Sequence, residues 1–283
     1  MRAIFRSLAV RNYRLFFAGQ LVSLTGTWMQ QIAQDWLVIH LGGRGTAVGL
    51  AVGLQFLPML VFSMPAGALA DRVDKRRILL ATQTAAGVLA ATMGVLVATG
   101  TVQLWMVYAL AFCLGCVTAV DHPTRQAFVT EMVGPDEVTN AVGLNSAVFN
   151  SARIVGPAVA AVVIRSFGLA PTFFANAVSY LAVLAALWAM DPAELFRSPG
   201  DDRRAGGVRE GLRYVWSTPE LRQTIALVAW VGTFGMNFGV VLPLLARFSF
   251  HGDAGTYGVL TSVMAVGSLL GALVAARRTD PTP

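Results

Sequence analysis

Long apolar runs dominate this 283-residue sequence and restrict what it can fold into. Eight runs of about 20 to 25 residues contain almost no charged side chains, because the charged residues cluster between them. A run of about 20 apolar residues is long enough for a helix to cross the hydrocarbon core of a bilayer. The predicted membrane spans are 15–39, 46–70, 78–99, 101–120, 141–164, 170–190, 223–246 and 256–276.

These spans are predicted to be α-helices. Backbone groups inside lipid must hydrogen-bond to one another, and a helix achieves this within a single segment. The alternating segments of about ten residues that are typical of a membrane barrel are absent from the sequence. Charged residues make up 13% of the chain and hydrophobic residues 55%, which excludes a disordered chain and argues against a soluble enzyme. The sequence therefore predicts an all-α integral membrane protein.

Lysines and arginines indicate the orientation of the chain, because cytoplasmic loops carry an excess of them. With a cytoplasmic N-terminus, 17 of the 21 lie on the inner side and three on the outer side, while Arg153 lies within a span. We therefore expect a multi-pass protein of the plasma or inner membrane with both termini in the cytoplasm. These basic residues flank apolar runs and form no stripe on a soluble surface, so a nucleic-acid partner is not expected.

The longest connection between spans divides the sequence into unequal parts. It begins with a stretch rich in glycine and aspartate at 198–207, which is typical of a flexible linker. Apolar residues then recur on one helical face at 208, 212 and 215, as in a helix lying on a membrane surface. The predicted domains are an N-terminal six-helix bundle (1–190), a cytoplasmic linker with a short amphipathic helix (191–222) and a partial two-helix C-terminal bundle (223–283).

Two short patterns recur at similar offsets. Gly67-Ala-Leu-Ala follows the second span and Gly271-Ala-Leu-Val follows the eighth, 204 residues later. A Gly-Thr pair opens both helices, at Gly45 and Gly255, with an offset of 210 residues. Internal repeats are how many transporters are built. Spans seven and eight are therefore interpreted as repeats of spans one and two, and a complete second half would need four further spans.

The loop between spans two and three contains a recognisable motif, with Gly67, Asp71, Arg72 and Arg76 as its main residues. This motif resembles the signature of the major facilitator superfamily. Asp74 stands where that family usually has glycine. The resemblance implies a loop that latches the two halves of a transporter together on the cytoplasmic side. An aspartate at this place can accept hydrogen bonds from a helix N-terminus or pair with an arginine, while the arginines also serve as cytoplasmic anchors.

Spans four and five resemble the exporter branch of the same superfamily, which includes enterobactin and macrolide efflux proteins. The matching stretches are 121–129, 140–146 and 149–158. Within them, Gly156-Pro157 resembles the helix-bending antiporter motif of the fifth helix, although Ala160 and Ala161 stand where the motif prefers glycine. The resemblance implies a bacterial major facilitator-type bundle with a complete six-helix half and two helices of the second half.

Two ionisable residues, Asp35 and Arg153, lie within predicted spans. A charge near the bilayer centre costs about 2.5–3.5 kcal/mol on insertion scales, so such a residue usually faces a wet cavity and has a function. Asp35 ends a polar stripe with Gln31 and Gln34, and Arg153 belongs to another with Asn150. We expect both stripes to line a central cavity, in which Asp35 carries protons because apolar surroundings favour a neutral carboxyl.

The same two residues have other interpretations. Asp35 lies five residues before His40, near the outer surface, where it would serve as a structural polar anchor. With a helical rise of about 1.5 Å per residue, Asp35 and Arg153 differ in depth by roughly 10 Å, which prevents direct pairing unless the helices tilt. Arg153 would then bind an anionic substrate or hold the fifth helix against its neighbours.

Charged residues also mark the inner end of the fourth span. Asp121, His122 and Arg125 are interpreted as a gate whose charges separate and pair again as the cavity opens. The alternative is an ordinary helix end with an interfacial histidine and a turn at Pro123.

Small residues at helical spacing predict close helix packing. Glycine pairs four residues apart allow the backbones of two helices to approach each other. The pairs are Gly49 with Gly53 and Gly267 with Gly271. Cys113 and Cys116 lie three apart inside a span and are interpreted as small residues on one buried helix face.

Neither catalysis nor a cofactor is indicated. The sequence lacks the Gly-x-x-x-x-Gly-Lys-[Ser/Thr] run of nucleotide-binding loops, a Ser/His/Asp arrangement and a metal-ligand cluster. The predicted function is a secondary active transporter that exports amphipathic, drug- or siderophore-like molecules in exchange for protons by alternating access. Its partners would be the small-molecule substrate, protons and the bilayer; the sequence leaves the oligomeric state open.

Three alternatives remain at this point. The lack of four helices in this sequence is also compatible with a fragment that inserts into the membrane without transporting. A facilitator-type importer would share the same fold. A membrane enzyme or receptor would need a catalytic constellation or a soluble sensor domain, and the sequence has neither.

Overall fold

A computed structural model describes residues 5–42, 44–196, 208–235 and 237–276. Side chains are described in these ranges except at 64, 68, 71, 208–212, 229, 233–235, 269 and 272–276. The described residues form helices joined mostly by short turns, without a β-strand among them. The all-α fold predicted from the sequence is confirmed.

Six long helices form the first part of the chain. They are α1 (Arg11–His40), α2 (Gly45–Arg72), α3 (Lys75–Ala98), α4 (Leu104–Val133), α5 (Val138–Phe167) and α6 (Ala170–Ala189). The remaining helices are α7 (Val208–Ser217), α8 (Pro219–Gly235), α9 (Phe238–Leu244), which continues as a π-helical turn over Leu245–Ser249, and α10 (Ala254–Ala276). The stretch predicted as a flexible linker, 198–207, lies outside the described residues, and the division into domains stays a prediction.

Five of these helices are long and apolar enough to cross a membrane by length and composition. They lie within α2, α3, α4, α5 together with its preceding turn, and α6. Helix α1 is as long as α4 but is not one of the five, since buried polar residues such as Gln20, Gln34 and Asp35 interrupt its apolar character. Its 30 residues are long enough to cross a bilayer, and its predicted role as the first span stays a prediction.

The predicted seventh span, 223–246, is not a single helix. Helix α8 ends at Gly235 and α9 begins at Phe238. Gly232, Gly235 and Gly239 surround this break, and glycine weakens a helix because it has the most backbone freedom to lose. The prediction of one continuous helix was therefore wrong. All described side chains of α8 are exposed.

The helices pack in a connected bundle with α1 near its centre. Helix α1 packs against α5 and α6, α3 against α4 and α6, and α2 against α4. Helix α10 packs against α5 and also contacts α1. Because α1 has neighbours around much of its surface, several of its polar side chains are buried within the protein, among them Gln20, Gln34 and Asp35.

Two apolar clusters stabilise the ends of this bundle. Tyr13, Phe16 and Phe128 belong to the cluster at the end where α1 begins. Leu37 and Phe173 belong to the cluster at the opposite end. Because lipid is as apolar as these side chains, they stabilise the bundle by close van der Waals packing between helices. The buried polar residues of α1 from Gln20 to Asp35 lie between these two clusters or at their edges.

Close helix packing occurs at glycines other than those predicted. No described atom outside their own helix lies within 4 Å of a Cβ built on Gly49, Gly53, Gly267 or Gly271, so the predicted close-packing faces were wrong. Instead, a Cβ on Gly115 of α4 would lie 2.3 Å from the Gln55 carbonyl oxygen of α2. One on Gly156 of α5 would lie 2.5 Å from the Trp28 Cβ of α1. Glycines four residues apart give a helix a smooth face, but the positions of the neighbouring helices decide whether another helix packs on that face.

The cysteines occupy a different position from the predicted one. Cys113 is exposed on the surface of α4 and Cys116 is only partly buried. Gly115, between them, points instead to the interface with α2. The interpretation of the two cysteines as part of one buried face was therefore wrong.

Candidate functional site

A cavity of about 460 Å³ lies between α1, α4 and α5. It occupies the half of the bundle in which α1 begins and α4 ends. Its polar lining residues are Gln20, His122, Arg125, Gln126, Asn145, Ser146 and Asn150. Phe16, Leu24, Val142 and Phe149 are among its apolar ones. A cavity of this size with an apolar wall and a few polar groups is typical of small-molecule sites.

Asp121 and Arg125 form an ion pair one helical turn apart on α4. The Asp121 carboxylate is only 3% exposed. Its Oδ1 accepts hydrogen bonds from Thr82 Oγ1 and Gln83 Nε2 of α3, both at 2.7 Å. The structure therefore brings two of the three predicted gate residues together and ties them to α3.

The Arg125 guanidinium links α4 to α1 and faces the cavity. Its Nη1 donates a hydrogen bond to Gln20 Oε1 at 2.6 Å. Its Nε is buried and has no hydrogen-bond partner in the part of the chain that the structure describes. His122, one position after Asp121, is exposed on the same cavity wall.

Asp35 lies toward the opposite end of α1 and is 1% exposed. Its Oδ2 accepts a hydrogen bond from Tyr257 Oη of α10 at 2.7 Å. Its Oδ1 accepts one from Gln31 Nε2 at 3.0 Å. Tyr257 itself is 2% exposed, so α10 covers the carboxylate and separates it from water.

The predicted glutamine stripe of α1 forms a partly buried network with α2. Gln55 Nε2 donates to Gln31 Oε1 at 3.3 Å, and Gln34 Nε2 donates to Gln55 Oε1 at 3.1 Å. Gln31, Gln34 and Asp35 therefore lie together, as their spacing suggested. They form a packed polar cluster and do not line the cavity between α1, α4 and α5.

The second predicted stripe is divided by the structure. Asn150 lines the cavity, and its Nδ2 donates to the Ser146 carbonyl oxygen at 2.8 Å. Arg153 is partly exposed and has neither an ion pair nor a hydrogen bond among the described residues. Asp35 is instead bound by Gln31 and Tyr257, so the structure does not pair Asp35 with Arg153.

Arg76, in the first turn of α3, ties the start of that helix to the end of α6. Arg76 donates to the carbonyl oxygens of Leu187 (2.7 Å) and Trp188 (3.2 Å), which lie at the end of α6 and would otherwise lack partners. Arg72 is exposed, and a Cβ on Gly67 would meet no described atom within 4 Å. The side chain of Asp71 lies outside the described part of the structure, so its predicted role stays a prediction.

Gly156 and Pro157 lie where α5 is enclosed between α1 and α10. The missing side chain of Gly156 permits contact with Trp28, and a Cβ on Gly258 of α10 would lie 2.7 Å from the Pro157 carbonyl oxygen. Pro157 cannot donate to the carbonyl four residues earlier. Ser262 of α10 donates to the next carbonyl oxygen, that of Ile154, at 3.0 Å.

Sequence reasoning missed the partners that come from other helices. Tyr257, Gln55, Thr82 and Gln83 were not singled out, although each is a polar residue inside an apolar run. For Tyr257 a signal existed, because it begins the eighth predicted span at the outer end, at the depth of Asp35. Matching polar residues by depth across all spans would have found that pair.

Apolar helices thus surround an amphipathic cavity, and a buried carboxylate lies near the opposite end of the bundle. Residues 3–280 match the family model described as "Transmembrane secretion effector". The chain therefore belongs to the transmembrane secretion effector family, a branch of the major facilitator superfamily. It is a multi-pass membrane protein, and the resemblance found in its motifs is confirmed.

Curated relatives match nearly all of this chain. It is 28% identical to the staphyloferrin A transporter of Staphylococcus aureus, over 92% of this chain and 66% of that protein. It is 27% identical to the multidrug efflux pump Tap of Mycolicibacterium fortuitum, over 92% and 65%. The identity to macrolide efflux protein A of Streptococcus pyogenes is 26%, over 93% and 66%. The chain thus spans just under two thirds of the length of these relatives.

The fold also matches a solved structure. A bacterial homologue of the human lysosomal transporter Spinster, in an inward-facing and occupied conformation, aligns with a TM-score of 0.64 and 19% sequence identity. The alignment covers 97% of this chain and 62% of that one. It confirms the major facilitator-type helical bundle.

Proposed function

We propose that the protein is a secondary active transporter that exports amphipathic small molecules in exchange for protons by alternating access. Its family membership supports this function, as do relatives named for the efflux of macrolides, multiple drugs and a siderophore. Because the chain spans just under two thirds of these relatives, transport by this chain is itself part of the proposal.

The difference between the two ends of the bundle carries the proposal. One half contains the cavity of about 460 Å³. In the other half, α10 packs against α1 and α5, with Met29, Ile32 and Tyr257 in one buried cluster. Alternating access requires a central site that is open to one side while the other side is closed. The excess of cytoplasmic lysine and arginine supports placing the cavity on the cytoplasmic side.

Asp35 is proposed to carry the proton. The Asp35 side chain is 1% exposed, so its ionised form loses most of its hydration by water. The hydrogen bonds from Tyr257 and Gln31 offset this desolvation free energy only in part. Moving α10 away from α1 would break the Tyr257 bond and expose Asp35 to outer water, from which it would take a proton. The membrane potential supplies about 2.3 kcal/mol per 100 mV for each charge moved.

Two further elements are proposed to change as the cavity opens and closes. The Asp121–Arg125 pair lies at the cavity wall between α3 and α1, so separating or re-forming it would alter access from the cytoplasm. Gly156 and Pro157 lie at the contact of α5 with α1 and α10, where a helix lacking one internal hydrogen bond bends most easily.

Replacing Asp35 by asparagine tests the proposal. We expect Asp35→Asn to reduce substrate-driven proton movement at least tenfold, because the amide cannot titrate. Membrane insertion should be retained, since the amide oxygen can still accept the bond from Tyr257. The measurement is the fluorescence of pyranine trapped in liposomes that contain the wild-type chain, the variant or no protein. The added probes are the acid 2-naphthylacetate and the cations erythromycin and ethidium.

Asp253→Asn is the matched control, because it removes an exposed carboxylate just before the same helix α10. This variant should keep the wild-type proton signal. Full-rate coupled transport by Asp35→Asn would remove Asp35 from the mechanism. Correctly inserted wild-type protein that moves none of the probes would contradict transport by this chain.

A further inference from the structure

We infer that the cavity between α1, α4 and α5 selects amphipathic acids, with Arg125 binding the anionic group of the substrate. This inference deepens the proposed function and rests on the cavity being the substrate site. It separates acidic cargo from the cationic and neutral molecules that a transporter of this fold could equally carry.

The charges on the cavity wall support an acidic substrate. Arg125 is a permanent cation on the wall, and His122 adds a second basic side chain. None of the described residues that line the cavity carries a carboxylate. The other polar lining residues, such as Gln20, Asn145 and Asn150, are neutral. A cationic group would therefore meet repulsion without a counter-charge, whereas an anionic group would meet a cation and several hydrogen-bond donors.

The counter-ion of Arg125 does not face the cavity. Asp121 is 3% exposed, and its Oδ1 is bound by Thr82 and Gln83 while its Oδ2 binds Arg125. The Asp121 carboxylate thus lies on the side of Arg125 away from the cavity, and its oxygens bind α3 and the guanidinium. The ion pair presents its positive end to the cavity.

Arg125 has more N–H groups than its two described partners use. A guanidinium has five N–H groups. Those of Arg125 bind Asp121 through Nη2 and the amide oxygen of Gln20 through Nη1, while the buried Nε has no described partner. A carboxylate is a stronger acceptor for arginine than a neutral amide, because both partners are charged. It could therefore replace Gln20 at Nη1 without breaking the bond to Asp121.

The rest of the wall fits the organic part of such a molecule. Phe16 and Leu24 of α1 and Phe149 of α5 line the cavity. Phe149 is held by an edge contact with Trp28, with ring centroids 5.7 Å apart. The aromatic wall is thus fixed in place beside the cationic group, which suits a substrate with an apolar body and an acidic head.

Three probes that share one ring and chain length test this selectivity. They are 2-naphthylacetate, 2-(2-naphthyl)ethanol and 2-(2-naphthyl)ethylamine, which are anionic, neutral and cationic at pH 7. Binding to the full chain in nanodiscs would be measured by calorimetry, with empty nanodiscs as the blank for partition into lipid. We expect the acid to bind at least tenfold more tightly than the alcohol, and the amine more weakly than the alcohol.

Substitutions then assign the preference to Arg125. In R125Q the acid should lose at least tenfold in affinity while the alcohol changes less than twofold, a selectivity change that a general loss of structure would not produce. R125K should retain part of the preference. Because R125Q leaves Asp121 without its cation, the double variant D121N/R125Q provides a second, uncharged background. Arg165→Gln, an exposed arginine of the same helix as Phe149, is the matched control.

The inference is overturned if the amine or the alcohol binds wild type as tightly as the acid, if no saturable acid binding is found, or if the preference survives in both R125Q and D121N/R125Q. These outcomes are independent of proton coupling. A chain that prefers the acid but moves no protons with any substrate would contradict the proposed function and leave the assignment of Arg125 intact.

Discussion

Single side chains decide how α10 is attached to the rest of the molecule. Tyr257 donates to the buried carboxylate of Asp35, and Ser262 donates to a carbonyl oxygen of α5. At the start of the same helix, Asp253 Oδ1 accepts the backbone N–H of Thr256 at 3.0 Å. This last contact is an N-cap, which satisfies a donor that the first turn of a helix leaves free.

The cap at Asp253 predicts a pH-dependent stability. The backbone hydrogen bond from Thr256 lowers the pKa of Asp253 below its usual value of 3.8. A carboxyl with a lowered folded-state pKa stabilises the fold above its unfolded-state pKa, and this contribution disappears as pH falls through the folded-state value. Asp253→Ala should lose about 1 kcal/mol at pH 7. The difference from wild type should shrink between pH 5 and pH 3 in denaturant unfolding of detergent-solubilised protein.

Asp253→Asn separates the cap from the charge. Asparagine caps helices about as well as aspartate but does not titrate in this range. The variant should match wild type at pH 7 and show no change in its difference from Asp253→Ala as the pH is lowered. A loss in Asp253→Ala that is the same at pH 3 and pH 7 would mean that the carboxylate form contributes nothing specific.

At the scale of whole elements, glycines set the distances between helices. Gly156 brings α5 against α1, because a Cβ there would lie 2.5 Å from Trp28 Cβ and 3.0 Å from the Thr25 carbonyl oxygen. Both obstacles belong to the backbone or sit directly on it, so they cannot move aside by a side-chain rotation. Gly143 of the same helix has no described atom within 4 Å of its Cβ position.

This contrast within α5 gives a matched pair of substitutions. Gly156→Ala should destabilise the protein by about 1–3 kcal/mol, the usual cost of overpacking a close interface. Gly143→Ala should be neutral or stabilise by up to about 1 kcal/mol, because alanine favours a helix more than glycine does. Thermal unfolding in detergent compares the two. Equal effects of both substitutions would show that α1 and α5 are not in close contact at Gly156.

At the scale of the whole molecule, the two ends of the bundle differ in shape, and the distribution of charge predicts which end faces the cytoplasm. The cavity lies in the half where α1 begins, and Asp35 is covered in the half where α1 ends. The distribution of lysine and arginine predicts that α1 begins in the cytoplasm. If so, the cavity accepts molecules from the cytoplasm and Asp35 lies near the outer surface, as export in exchange for external protons requires.

Labelling from one side of the membrane tests this orientation. In a chain whose native Cys113 and Cys116 are changed to serine, Thr101→Cys should react with a membrane-impermeant maleimide in intact cells. Asp136→Cys should react only after permeabilisation, because the short turn before α5 is predicted to be cytoplasmic. Both positions are exposed in the structure, so accessibility within the protein does not limit the reaction. The reverse labelling pattern would invert the proposed direction of transport.

The family resemblance and the position of most helices could be predicted from the sequence alone. Apolar length and backbone hydrogen bonding act within a single segment, so α1, α2, α3, α5 and α6 were expected within about four residues of where they occur. The fourth span was predicted to end at 120, and a helix end with a turn at Pro123 was the alternative to a gate. Both were wrong, because α4 continues through Pro123 to Val133. The predicted seventh span is instead two helices, one ending at Gly235 and the next beginning at Phe238. Hydropathy measures how apolar a run is and does not show where glycines weaken its helix. The pairing of Asp121 with Arg125 was also within reach, since four residues on one helix bring two side chains together.

Which polar groups meet across the bundle was decided by the tertiary structure. Asp35 and Tyr257 are 222 positions apart, and Asp121 is bound by Thr82 and Gln83 from another helix. The tertiary structure also places a close helix contact at Gly156, and not at the glycine pairs that their spacing had indicated. Composition and periodicity fix which face of a helix is apolar and roughly how deep each residue lies. They do not fix which helices are neighbours or how those helices are rotated, and a hydrogen bond of about 3 Å requires both.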